Sequence, residues 1–166
     1  MGRIFDSIRT VVRVRYLAGA LSLSAAGGGA ILMNEGSVDH VYLDPVGIPT
    51  ACAGSTEGLT RADVGRYMPP EVCAQRIKRD TSTAERAVKA CVTQPVTQEQ
   101  YDAFVDTAFN IGRANFCGST LVRKHNAGDC RGATQEFGRW VYAKGKKLPG
   151  LITRRERAAT AYATGC

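Results

Sequence analysis

Residues 35–54 read EGSVDHVYLDPVGIPTACAG, with Glu35, Asp44 and Thr50 spaced E-x8-D-x5-T and Gly54 closing the stretch. Residues 34–60 are rich in Gly, Pro, Thr, Val and Tyr, and Val38 to Leu43 forms a short alternating run. That composition predicts turns and short strands rather than a long helix. Taken singly, each polar residue has an ordinary reading. Glu35 ends the apolar segment before it, and Asp44-Pro45 is common turn chemistry. The joint spacing of two acids and a threonine carries more weight than any one of them.

Upstream, residues 1–15 carry Arg3, Arg9, Arg13 and Arg15 against the single acid Asp6. From Tyr16 to Met33 the chain is uncharged, YLAGALSLSAAGGGAILM, which as a helix would be ~27 Å long against a hydrocarbon core of ~30 Å. A basic flank before an apolar run is a secretion signal, its basic end remaining in the cytoplasm. Eleven of these 18 residues are Gly, Ala or Ser, and small side chains contribute little transfer free energy. Three readings stand: a signal peptide cleaved near Ala30, a stable anchor, or an uncleaved weak anchor that leaves the bilayer and folds with the rest.

The 166 residues suit one domain, and 44% hydrophobic, 22% charged and 7% aromatic content excludes collagen-like, fully disordered and multi-pass membrane classes. Lys and Arg number 22 against 15 Asp and Glu, a net charge of +7 that suits an anionic partner. Six cysteines (Cys52, Cys73, Cys91, Cys117, Cys130, Cys166) include no C-x-x-C pair, and only His40 and His125 could complete a metal site. No metal and no cofactor are expected. Three disulfides formed outside the cytoplasm fit better than six thiols, although buried thiols remain open. Six cysteines allow 15 connectivities; pairing neighbours in chain order gives Cys52–Cys73, Cys91–Cys117 and Cys130–Cys166.

Downstream the pattern is helical. Met68-Pro69-Pro70-Glu71 is a helix start, because Pro suits the first turn and an acid there complements the dipole, and the helix should run to about Cys91. Thr97-x-x-Gln100 forms a capping box for a second helix carrying Phe104, Ala108, Phe109 and Ile111, ended by Gly112. Shorter helices are expected over 119–125, 129–142 and 153–163. The class is α+β.

The catalytic-type spacing, with Gly36, Tyr42, Gly47 and Gly54 in register, resembles the phage-type lysozymes, the endolysins related to the muramidase of T-even phages. Phe109-Asn110-x-Gly112, Arg139-Trp140-x-Tyr142 and Gly150-Leu-Ile-Thr-Arg154-Arg155-Glu156 are similar to further family motifs, so the resemblance covers nearly all of the chain after residue 33. One position departs. Related enzymes carry Gly-His a few residues after the threonine; here Ser55 takes the His position, and the acid on the following helix would be Asp80.

The resemblance implies a lysozyme-like fold: a small β-containing N-terminal lobe and a helical C-terminal lobe flanking a cleft, with an N-terminal signal-anchor helix. It implies hydrolysis of the β-1,4 bond between N-acetylmuramic acid and N-acetylglucosamine in peptidoglycan, leading to host lysis. Glu35 would be the general acid, Asp44 would stay ionised, and Thr50 would hold the attacking water, an inverting arrangement. Arg154 would pair with Glu35, while Phe109 and Asn110 would support the cleft.

A Gly- and Ala-rich segment that is not cleaved is the mark of signal-anchor-release endolysins. On that reading residues 1–33 form the basic flank and anchor, and 34–166 the catalytic domain. The protein would be exported, tethered to the inner membrane, then released into the periplasm as a monomer. Two other functions stay in view. A lytic transglycosylase cuts the same bond with mainly one acid, and a membrane-tethered wall-binding module would bind without cleaving. Nucleic acid is not an expected partner, because an export signal and disulfides fit it badly.

Overall fold

The computed structural model describes residues 14–35, 38–143 and 145–166, and for Glu35 the backbone alone. After a 3-10 turn at Ala18–Ala20 come α1 (Ala25–Glu35), β1 (Tyr42–Leu43), β2 (Pro49–Thr50), α2 (Pro70–Cys91), α3 (Gln98–Ile111) and α4 (Arg113–Cys117). α5 (Thr120–Asn126), α6 (Cys130–Glu136), β3 (Tyr142–Ala143), β4 (Lys146–Lys147) and α7 (Pro149–Ala163) follow.

The uncharged run 16–33 is not one helix. Tyr16 pairs with Val96 through two backbone hydrogen bonds of 2.8 Å, the 3-10 turn follows, and residues 21–24 carry no helix before α1 begins. No described helix is long and apolar enough to cross a membrane. Ser24 caps α1: its Oγ accepts from Gly27 N at 3.0 Å, and its own hydroxyl donates to Asp102 of α3. Leu23 N donates to Glu85 Oε1 at 2.8 Å, and Gln98 Nε2 donates to Ser22 O at 2.9 Å. Ala18, Leu21 and Ile31 are buried in the helical core. At Gly27 a Cβ would stand 2.7 Å from Asp102 Cγ, so only glycine permits this approach. Position 33/34 falls inside α1, and the chain is continuous in the fold at that point.

Two hydrophobic clusters define the lobes. The smaller gathers Val41, Ala51, Cys52 and Met68 beside the β1–β2 hairpin, with Leu59, Val72 and Cys73 packed against it. β1 and β2 pair antiparallel, with Tyr42 opposite Thr50 and Leu43 opposite Pro49. The larger cluster surrounds α3, whose residues 103–108 are all buried between α1, α2, α4 and α7. Phe104 is its centre, with ring centroids 5.6 Å from Phe116, 5.0 Å from His125 and 5.1 Å from Tyr162.

The capping box at Thr97 and Gln100 forms, and Gly112 at φ +80° ends α3. α2 also keeps its expected bounds. Two local expectations are corrected. The helix over 129–142 stops at Glu136, gives way to a 3-10 turn at Phe137–Arg139, and Tyr142 enters a hairpin with Lys147. α7 begins at Pro149, four residues before Thr153, because Pro sits naturally in a first turn. α4 was not anticipated. Disulfides join Cys52 to Cys73, Cys91 to Cys117 and Cys130 to Cys166. Closing loops with sequence separations of 21, 26 and 36 stabilises each by about 3–4 kcal/mol in the chain-entropy account.

His125 is 5% exposed, with Nδ1 2.6 Å from Tyr162 Oη and Nε2 3.4 Å from Gln94 O. A carbonyl only accepts, so Nε2 carries the proton and Nδ1 accepts from the tyrosine. Burial pushes its pKa below the ordinary value; the Gln94 carbonyl opposes this and the Arg15 charge adds to it. The unfolded chain therefore takes up a proton below about pH 6.5 that the folded one refuses. This contribution to stability is complete above that pH and is lost as pH falls through the lower folded pKa. The urea midpoint should drop between about pH 7.5 and pH 5, and His125→Gln should narrow that drop.

Candidate active site

Asp44 and Thr50 both bind the backbone of one residue, Ile48, on the two peptide groups that flank its Cα. Asp44 Oδ1 accepts from Val46 N at 2.9 Å and Ile48 N at 2.8 Å, while Thr50 Oγ1 donates to Ile48 O at 2.9 Å. The turn between them closes because Asp44 N donates to Ile48 O at 3.0 Å and Gly47 takes φ +82°. Asp44 is half-buried and Thr50 is 4% exposed. With its proton committed to Ile48, the Thr50 hydroxyl keeps lone pairs that accept from a water. Glu35 ends α1, and its side chain lies outside the described residues, as do Gly36 and Ser37.

Ser55 is 2% exposed and receives Arg76 Nη1 and Arg79 Nη2, each at 3.2 Å. Arg79 also pairs with Asp80 at 2.9 Å and with Glu57 at 3.1 Å. Asp80, the acid expected opposite the missing histidine, is thus matched by an arginine of its own helix, and two guanidiniums reach the hydroxyl at the histidine position. A pocket of about 230 Å³ opens beside this cluster, between Gly54 and Glu57 of the β lobe, Asp80 of α2 and Phe109 of α3. Phe109 is half-buried at its wall.

Arg154 meets an acid of α3. It is 4% exposed, and its Nε lies 3.1 Å from both carboxylate oxygens of Asp106, with Nη2 2.9 Å from Oδ1. The expected Arg154–Glu35 pair involves a side chain outside the described residues. Asn110 accepts from Arg155 Nη2, and Arg155 Nε donates to Trp140 O at 3.2 Å. Arg155, 1% exposed, also reaches Asp106 at 3.6 Å. Asp106 is the residue the sequence reading missed. Its signal was an acid set among Tyr101, Phe104, Val105 and Ala108 on the buried face of α3. Among the described residues, no group of three or more His, Cys, Asp or Glu side chains could hold a metal ion.

The family model for phage lysozyme matches residues 33–158. This chain belongs to the phage lysozyme family. It is 34% identical over 148 residues to the SAR-endolysin of Enterobacteria phage P21, spanning 80% of this chain and 87% of that protein. Among solved structures it is similar to the endolysin from Escherichia coli O157:H7 phage FAHEc1, with TM-score 0.75 and 32% identity over 87% of this chain and 94% of that one. P1 phage endolysin Lyz shares the fold at lower identity. Its active form gives TM-score 0.72 (22% identity, 88% and 87% covered), and its secreted inactive form 0.55 (19% identity, 86% and 96% covered). This phage lysozyme is accordingly a glycoside hydrolase.

Proposed function

We propose that this phage lysozyme hydrolyses the β-1,4 bond between N-acetylmuramic acid and N-acetylglucosamine in peptidoglycan, with Glu35, Asp44 and Thr50 as its catalytic set. Peptidoglycan breakage needs a proton for the departing oxygen and water for the anomeric carbon. Glu35 gives its proton to the leaving oxygen. Asp44, ionised, faces the positive charge that develops on the sugar. A water that donates hydrogen bonds to Thr50 and Asp44 attacks from the opposite face as the bond to the leaving oxygen breaks; its oxygen joins the anomeric carbon with inversion, and its proton passes to the Asp44 carboxylate. The observation that carries this reading is the backbone of Ile48, whose N–H donates to Asp44 and whose carbonyl accepts from Thr50.

The test is mass spectrometry of peptidoglycan digested by purified protein. Reducing N-acetylmuramic ends are expected. Anhydro ends would move the chain to the transglycosylases, and binding without products would leave a wall-binding module.

The localisation reading is that of a signal-anchor-release endolysin: uncleaved, tethered to the inner membrane by the N-terminal segment, then released as a periplasmic monomer. Relatives carry the SAR-endolysin name, and residues 16–33 here are packed on α2 and α3 by the contacts of Ser22, Leu23 and Ser24. In this state the segment serves the enzyme as α1, which ends at Glu35. Recovery of only a shortened mature chain from the periplasm would overturn it.

A further inference from the structure

Asp106 is 6% exposed on the most deeply packed helix, and three partners from two other helices converge on its one carboxylate. Arg154 of α7 binds both oxygens, and its Nη2 also lies 3.4 Å from the Asp106 carbonyl. Arg155, the next residue, approaches Oδ2 at 3.6 Å. From α1, Asn34 Nδ2 donates to Oδ1 at 3.3 Å. Asn34 immediately precedes Glu35 in the last turn of α1. A buried carboxylate bound twice by a guanidinium is fixed in direction as well as place, because the planar fork matches its geometry. Whatever it binds in turn inherits that precision.

We infer that Asp106 is a positioning residue for hydrolysis: held rigid by Arg154, it registers the last turn of α1 through Asn34 and so places Glu35 only once α1 is seated on α3. This inference rests on the reading of Glu35 as the general acid. Helix ends fray unless tied down, and α1 runs only one residue past Asn34. Ser24 and Asp102 tie the other end of α1, ten residues away. The Asn34–Asp106 bond therefore ties the end that matters for chemistry. The two ends are anchored by acids one turn apart on α3, so seating the segment and setting its final turn are the same event.

The test compares kcat and KM on purified peptidoglycan strands, with thermal unfolding, for the full chain and its variants. Asp106→Asn should lower kcat at least tenfold with KM within about twofold, since ~1 Å of misplacement costs on the order of 10²-fold in rate. The transposed variant Asn34→Asp with Asp106→Asn keeps a carboxylate within reach of Arg154 and a carboxamide partner, and should recover most of the loss. Parental kcat in folded Asp106→Asn, or a transposed variant that regains stability without kcat, overturns the inference. If Asp106→Asn does not fold, Asn34→Ala leaves the Arg154–Asp106 pair intact, and the same kcat loss is expected at nearly parental stability; unchanged kcat overturns the inference there too. Glu35→Gln run in parallel separates the two levels. An active Glu35→Gln removes the general-acid reading itself, whereas an inactive one beside a fully active Asp106→Asn removes only the role of Asp106.

Discussion

Glu35→Gln protein folds as the parent does and turns over peptidoglycan at least ~10³-fold more slowly, within the range expected when a general acid is removed. The amide matches the carboxyl in shape but has no proton of useful acidity for the departing sugar oxygen. The substitution is nearly isosteric at the last residue of α1, so stability should change by no more than about 1 kcal/mol. Release of reducing ends reads the rate, and near-ultraviolet circular dichroism with a thermal melt reads the fold. Parental turnover in a folded Glu35→Gln protein would remove Glu35 from the mechanism and, with it, the assignment of Asp44 and Thr50 to the water.

The second large effect is expected at Gly27. A Cβ there would lie 2.7 Å from Asp102 Cγ, 2.8 Å from Leu23 Cδ1 and 2.9 Å from Asp102 Cβ. The Asp102 atoms belong to the side chain whose carboxylate receives Ser24, so Gly27→Leu forces apart the contact that seats α1. Two outcomes are open to the chain: strain of about 1–3 kcal/mol, or loss of docking altogether. Either displaces the helix end that carries Glu35, and activity should fall at least tenfold on the scale set by small misplacements in active sites.

Gly29→Leu is the control. Nothing lies within 4 Å of a Cβ at that position. Both substitutions add the same apolar side chain to the segment, and both gain about 0.8 kcal/mol of helix propensity over Gly. Effects on membrane partition therefore cancel between them. Purified Gly29→Leu should be as active as the parent and at least as stable. Equal losses in the two variants would show that added hydrophobicity, not the Asp102 contact, sets the outcome.

Features that depend on a few adjacent residues were legible in the chain. The capping box at Thr97, the Pro70 start of α2, the Gly112 stop and the Asp44-Pro45 turn each arise from hydrogen bonds and dihedral limits within five residues. The 129–142 helix was overextended for the opposite reason. Its periodicity continues to Tyr142, but burial of Phe137 tightens the chain into a 3-10 turn, and pairing of Tyr142 with Lys147 takes over. Asp44 and Thr50 could be paired from their spacing because they lie in one hairpin. Asp106 was not, because its meaning lies in partners 48 and 72 residues away.

The N-terminal segment divides the two kinds of information most sharply. Its sequence alone determines that it is uncharged, small-residued and only weakly suited to a bilayer, which makes two environments close in free energy. Tertiary structure decides which environment this state occupies. Glu85 of α2 and Asp102 of α3 offer carboxylates to Leu23 N and to the Ser24 N–H and hydroxyl. Backbone donors at a helix start must be satisfied, and in the folded chain these two acids, 62 and 78 residues distant, satisfy them. No local pattern in residues 16–33 encodes that, because the groups that complete the segment arrive only when the rest of the chain has folded around them.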